Sequence, residues 1–223
     1  MSQVQDRLAS VEARVAAACR AAGRDRADVT LIAVSKVHAA ERIAEAHASG
    51  QIDFGESYAQ ELRDKAAVLP DTVRWHFIGR LQTNKAKYVA PVAHRVHALT
   101  EPRQAEALVR RADGTVHGLL AVNLGGETSK SGVPAEHALE VCAAMAAVPG
   151  FTLTGLMTLP PAVDDPEQAA PYFEQLAELA ARGRDLGLPL DELSMGMSHD
   201  FEVAIRYGAT HVRVGTAIFG PRR

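Results

Sequence analysis

The sequence predicts a single parallel β/α barrel spanning residues 1–223, with an additional helix at its N-terminus. Eight short strand-like runs alternate with helical patterns, glycine stops close several of those helices, and no Pro/Gly/Ser-rich linker divides the chain. A doubly wound open sheet is the other architecture that such alternation permits.

Val4, Leu8, Val11 and Val15 recur at helical spacing, and Gly23 ends that first segment. The strand-like runs then follow in order: "VTLIAVS" from Val29, "IDFGE" from Ile52, "WHFIG" from Trp75 and "RVHAL" from Arg95. The remaining four are "HGLLAVNL" from His117, "LTGLMTL" from Leu153, "ELSMGM" from Glu192 and "HVRVGT" from His211. Thr100 ahead of Pro102 and Asp165 ahead of Pro166 mark helix starts, and Gly50, Gly187 and Gly208 mark helix ends. The weakest helical pattern lies between Thr83 and Val89. After the eighth run only "AIFGPRR" remains, too little for a full outer helix, so the helix over Gln3–Ala22 is expected to fill that place.

Composition narrows the function classes. A net charge of -3 with interspersed signs offers no basic stripe for nucleic acid and no polybasic segment for a membrane surface. The first residues lack a leader pattern and no apolar run is long enough to span a bilayer, so a cytoplasmic protein is expected. Cys19 and Cys142 fall in helical segments without ligand-like spacing and read as buried free thiols. No apolar heptad argues for assembly, which makes a monomer the expectation. Of the nine histidines, His94 and His97 have a ligand-like spacing but no carboxylate or thiol close by in the sequence, and a metal site is not expected. "GGETSKSG" lacks the glycine spacing of a nucleotide-binding loop and reads as a rim loop, whose Lys130 and Ser131 would lie near the barrel mouth.

Two cations carry the functional reading. In such barrels the active rim is at the C-terminal ends of the strands, and phosphates bind at the loops after the last two strands. Lys36 stands at the end of the first run, which neighbours the eighth when a barrel closes. Strand period puts Ile32, Val34 and Lys36 on one side and Leu31, Ala33 and Ser35 on the other. In the eighth run Val212 and Val214 suit the helix-facing side, which turns Arg213 inward. An inward arginine is either half of an internal ion pair or the partner of a polar ligand, and the strand alone leaves these level. Ser198 falls where a helix N-cap belongs, and Gly215 with Thr216 opens a short helix. Those loops offer hydroxyls and backbone N–H groups to an anion, and Gly215 permits close approach.

An inward lysine, an inward arginine and a phosphate cradle on adjoining strands form the constellation expected for pyridoxal 5'-phosphate. An aldehyde needs a neutral amine, and a lysine at its ordinary pKa of about 10.4 is only about 0.04% neutral at pH 7. Partial burial and the Arg213 cation both act to raise that fraction.

The residues resemble the pyridoxal-phosphate-binding homeostasis proteins, relatives of the barrel domain of alanine racemases. The similar stretches are "LIAVSK", "FGESYAQE", "WHFIGRLQTNK", "VNLGGETSKSG", "LTGLMTLP", "LSMGMSHDFEVAI" and "GATHVRVGTAIFG", which span nearly the whole chain in order. The resemblance implies a pyridoxal phosphate barrel with Lys36 as the Schiff-base lysine and Arg213 facing the pyridine. It implies Ser198, Gly215 and Thr216 at the phosphate. It also implies a protein without an established reaction that buffers or delivers the cofactor or related B6 vitamers, in transient contact with apo-enzymes that use it. Ser57 stands where the family has asparagine, His199 replaces an acidic residue, and Arg80 takes a place where proline or histidine is familiar.

Two other classes compete with a carrier: a small amino-acid racemase or decarboxylase, and a phosphosugar isomerase using Lys36 transiently. Racemisation takes two bases. The relatives that racemise draw one from an additional domain, and the in-chain substitute, His76, reads better as a packed histidine.

Overall fold

In the computed structural model, residues 2–126 and 131–221 are described. The chain runs α1 (Gln3–Ala21), β1 (Thr30–Val34), α2 (Ala40–His47), β2 (Asp53–Glu56), α3 (Ala59–Ala66), β3 (Arg74–Phe77), α4 (Ala86–Val89) and β4 (Ala93–Leu99). It continues through α5 (Pro102–Val109), β5 (Val116–Asn123), β6 (Val133–Pro134), α6 (Ala135–Ala146) and β7 (Phe151–Thr158). It ends with α7 (Ala170–Asp185), β8 (Glu192–Met197), α8 (Phe201–Arg206), β9 (His211–Val214) and α9 (Thr216–Phe219).

Every predicted strand-like run contains a strand, and β6 is an unanticipated two-residue pairing on β5. The other eight strands are parallel and close into a barrel through the β4–β5 and β1–β9 pairings, which rules out the open sheet. Between Thr83 and Val89 the chain forms a short 3-10 turn followed by the four-residue α4.

α1 starts on a capping box between Ser2 and Gln5 and buries Val4, Leu8, Val11, Val15 and Cys19. It packs against α2, α8 and α9. With α9 only four residues long, α1 supplies the apolar cover that an eighth outer helix would give.

The barrel wall separates two interiors. Outward residues such as Leu31, Ala33, Phe54, Val212 and Val214 join one large apolar cluster with the helices. Inside, Ala98, Leu119, Ala121 and Met157 form a small apolar cluster over β4, β5 and β7. On the opposite wall, buried Asp53, His76, Ser194, His211 and Arg213 come from β2, β3, β8 and β9, with His97 from β4 beside them. In β4 a register shift between Val96 and Leu99 accompanies two consecutive buried interior residues, His97 and Ala98.

Cys19 and Cys142 are buried and free, and burial pushes the Cys142 thiol up to about 12. Among the described residues no helix is long and apolar enough to cross a membrane. Lys130, assigned to the rim loop by sequence, lies outside the described residues.

Gly155 in β7 has no room for a side chain, because a Cβ there would sit 1.9 Å from the Glu192 carbonyl oxygen on β8. That obstacle is backbone and cannot rotate away. Gly155→Ala is therefore expected to cost about 3 kcal/mol, the upper end of ordinary overpacking, and to lower Tm by about 6–12 °C. A thermal melt followed by circular dichroism checks this, and an unchanged Tm would contradict the strand pairing described.

Candidate functional site

A cavity of ≈ 260 Å³ opens at the C-terminal rim, bounded by residues that follow β1, β2, β3, β7, β8 and β9. Lys36, Arg213, Ser198, Gly215 and Thr216, widely separated in sequence, all line it. The apolar side of the lining is Val34, Ile78, Met157, Leu159 and Met197. Larger hollows elsewhere on the surface also carry cations, but none of them is lined by a buried arginine.

Arg213 is 3% exposed, and its guanidinium donates from Nη1 to Ser194 Oγ at 2.5 Å and from Nη2 to the Thr158 carbonyl at 2.9 Å. Burial lowers its pKa to about 10, with the Asp200 carboxylate acting in the opposite direction, so it stays a cation at neutral pH. The acceptors that meet the guanidinium among the described residues are uncharged oxygens, not the carboxylate of a simple internal ion pair. A buried guanidinium with five N–H donors, satisfied in part by neutral oxygens and bordering a cavity, suits a ligand carrying an acceptor.

Sequence reasoning placed Ser198 at a helix N-cap, and the structure corrects this. Asp200 is the residue preceding α8, and its Oδ1 accepts from the Met197 N–H at 2.6 Å, closing the turn after β8. Ser198 is left at the cavity, where its Oγ accepts from the Gly215 N–H at 3.2 Å. The turns after β8 and β9 are thereby tied together, and Gly215 with Thr216 does begin the final helical turn.

Lys36 sits in a tight turn closed by the His38 N–H donating to the Ser35 carbonyl at 3.0 Å. Val37, the third residue of that turn, has φ 63°, a left-handed conformation that a β-branched side chain rarely adopts. Groups behind the sheet hold it there. Lys65 on α3 is 7% exposed and donates to the Ser35 carbonyl at 2.8 Å, to Glu56 Oε1 at 2.7 Å and to Glu61 Oε1 at 2.6 Å. Ser35 Oγ also donates to Glu56 Oε1, and the Val37 N–H donates to Glu61 Oε1 at 2.7 Å. Burial holds the Glu56 carboxyl above its usual range even with the Lys65 ammonium against it. This clamp was missed in the sequence, although strand period does put Glu56 and Ser35 on the helix-facing side.

Residues 7–223 match the family described as alanine racemase, N-terminal domain. A pyridoxal phosphate homeostasis protein from Pseudomonas aeruginosa is 43% identical over 226 residues, covering 100% of this chain and 97% of its own. One of the same name from Aquifex aeolicus is 42% identical over 223 residues, covering 98% of each chain.

The chain belongs to the family of pyridoxal phosphate homeostasis proteins.

A solved relative, PipY of Synechococcus elongatus with pyridoxal phosphate bound, superposes with a TM-score of 0.83 at 33% identity, over 97% of this chain and 100% of that one. Ser57 and His199 line the cavity, and His199 is exposed with Nε2 3.0 Å from the Asp164 carbonyl. Arg80 is exposed and lies on a neighbouring hollow. His76 does not line the cavity. It is 1% exposed and committed to Asp53 and His97, which makes it a packed histidine as expected.

Proposed function

We propose that this chain holds pyridoxal 5'-phosphate at the barrel rim, with Lys36 as the point of covalent attachment, and serves the homeostasis of that cofactor by buffering or delivering it. The observation that carries the reading is that Lys36 and the buried Arg213 line one cavity. When bound, the cofactor would supply an aldehyde able to condense with a neutral primary amine with loss of water, and Lys36 is the residue placed to offer that amine.

The chain's own residues divide the remaining work. Ser198, Gly215 and Thr216 stand where the last two barrel strands end, the side of the cavity suited to a phosphate. Arg213 is a donor that cannot give up its proton at neutral pH, so it binds a ring nitrogen without protonating it. Lacking an acid there, the site disfavours carbanion chemistry at a bound amino acid. The titratable side chains among the described lining residues are Lys36, His199 and Arg213, and His199 is already engaged by Asp164. His76, the candidate second base, is walled off.

Delivery implies transient contact with apo-enzymes that use the cofactor, and exposed Val37, Leu159 and Met197 near Lys36 and the cavity give such a partner apolar footholds. We read the protein as a single-domain cytoplasmic monomer. Incubating the loaded protein with L-alanine and other amino acids in heavy water separates carrier from racemase or decarboxylase. No deuterium at the α-carbon, no loss of chirality and no amine product are expected, whereas exchange at many turnovers per minute would make the protein an enzyme.

A further inference from the structure

Six side chains form an unbroken hydrogen-bonded file through the polar half of the barrel interior. Arg213 Nη1 meets Ser194 Oγ at 2.5 Å, Ser194 Oγ meets His97 Nδ1 at 2.8 Å, and His97 Nε2 meets His76 Nδ1 at 2.8 Å. His76 Nε2 then meets Asp53 Oδ1 at 2.9 Å, and Asp53 Oδ2 accepts from Arg74 Nη2 at 2.6 Å. Ser194 and His97 are fully buried, and Asp53, His76 and Arg213 are each at least nine-tenths buried.

The chemistry of the two ends gives the file one direction. A carboxylate only accepts, so His76 must present Nε2–H to Asp53, which leaves Nδ1 of a neutral ring as an acceptor. His97 must then donate from Nε2 and accept at Nδ1. Ser194 meets that demand with its hydroxyl hydrogen, so its oxygen lone pairs are left facing Arg213, which only donates. Burial lowers the pKa of both rings, consistent with neutral imidazoles throughout. No member of the file is left with two donors or two acceptors face to face.

We propose that Asp53, His76, His97 and Ser194 are positioning residues, a tautomer-locked relay that aims the Arg213 guanidinium at the ligand in the rim cavity. The proposal rests on the reading of that cavity as a pyridoxal phosphate site. Ser194 acts directly on Arg213, and His97 acts through Ser194 by claiming its proton. Core packing alone would be indifferent to which ring nitrogen carries hydrogen. Positioning depends on it.

The test uses the whole protein labelled with 15N-histidine and then loaded with pyridoxal phosphate. Long-range 1H–15N spectra at pH 8 should show His76 and His97 as neutral Nε2–H tautomers. Pyridoxal phosphate affinity and the position of its visible band are then read in His97→Gln and His97→Asn. Glutamine keeps a donor towards His76 but loses the acceptor for Ser194, whereas asparagine Oδ1 takes the place of Nδ1. His97→Gln should bind about tenfold more weakly, about 1.4 kcal/mol, with a shifted band, and His97→Asn should stay within about threefold of wild type with an unshifted one. Ser194→Ala, which removes a single oxygen, should resemble His97→Gln. Either ring found as Nδ1–H or as a cation overturns the proposal, as does Ser194→Ala binding with wild-type affinity, or equal behaviour of the two His97 variants. A wild-type protein that takes up no pyridoxal phosphate overturns the cofactor reading itself. The histidine spectra, which need no cofactor, distinguish that failure from failure of the relay.

Discussion

Acidification from pH 7 towards pH 4.5 is expected to destabilise the barrel until it unfolds. Burial is the first cause that lowers the pKa of His76, His97 and His211 below the ordinary 6.5; the Asp53 carboxylate opposes it at His76, and neighbouring cationic groups add to it at His97 and His211. In the unfolded chain these rings take up protons near pH 6.5, while in the folded barrel they do not. Folding stability is therefore fully present above pH 6.5 and is lost as pH falls towards the depressed folded values. Each such group removes at most about 1.4 kcal/mol per pH unit in that window. The three buried rings together remove up to about 4 kcal/mol per unit, against a total of about 5–15 kcal/mol for a typical domain, and the exposed His94 adds little because water screens it.

Asp53 does not offset this loss. Burial pushes its carboxyl up, but hydrogen bonds and charge from His76 and Arg74 outweigh burial and hold it below the usual range. Its contribution is thus present above pH 3.8 and disappears only at still lower pH. Circular dichroism at stepped pH should show a cooperative loss of structure as pH falls from about 6 towards 4.5, the direction in which the buried histidines withdraw stability. A barrel intact at pH 4 would mean that these histidines are charged or hydrated in the folded state.

Lys65→Met is expected to be the most damaging single substitution near the site. Lys65 is the cation on fully buried Glu56, and breaking a buried pair from one side costs about 3–5 kcal/mol because the other charge stays behind. Among the described residues Glu56 Oε2 already has no hydrogen-bond partner. The loss also frees the Ser35 carbonyl and Glu61, the groups that hold the turn containing Lys36. Urea unfolding should show the stability loss, and covalent uptake of pyridoxal phosphate at Lys36 should slow in parallel. Adding Glu56→Gln should recover part of the stability, since the stranded charge is then gone. A Lys65→Met protein within about 1 kcal/mol of wild type, the range of an exposed ion pair, would place this cluster in water instead of under α3.

The sequence was most legible where one physical rule decides the outcome. Strand period alone turned Arg213 inward, because Val212 and Val214 had to meet the helices. The shortage of residues after the eighth run pointed α1 to the vacant outer position, where it packs on α8 and α9. β6 escaped notice because two residues carry no period. Ser198 was misread as a cap because a serine ahead of a helix fits that role locally, while the Asp200 carboxylate that closes the turn is no less suited to it.

The polar interior was illegible for a different reason. Asp53, His76, His97, Ser194 and Arg213 stand on five different strands, and only the barrel's register makes them neighbours. In sequence His97 stands out only for its spacing from His94, whereas in the barrel its partners are His76 and Ser194. Each is an unremarkable residue in its own stretch. The signal that was available is the alternation in "ELSMGM", which leaves a small polar residue, Ser194, on the inward side of an apolar strand.

Borohydride reduction of the protein loaded with pyridoxal phosphate, followed by peptide mass mapping, tests the central claim most directly. The account predicts a visible band that bleaches on reduction and a single phosphopyridoxyl adduct on Lys36, absent from Lys36→Ala while that variant stays folded. A reduced adduct spread over surface lysines, or a visible band that survives unchanged in Lys36→Ala, would contradict it.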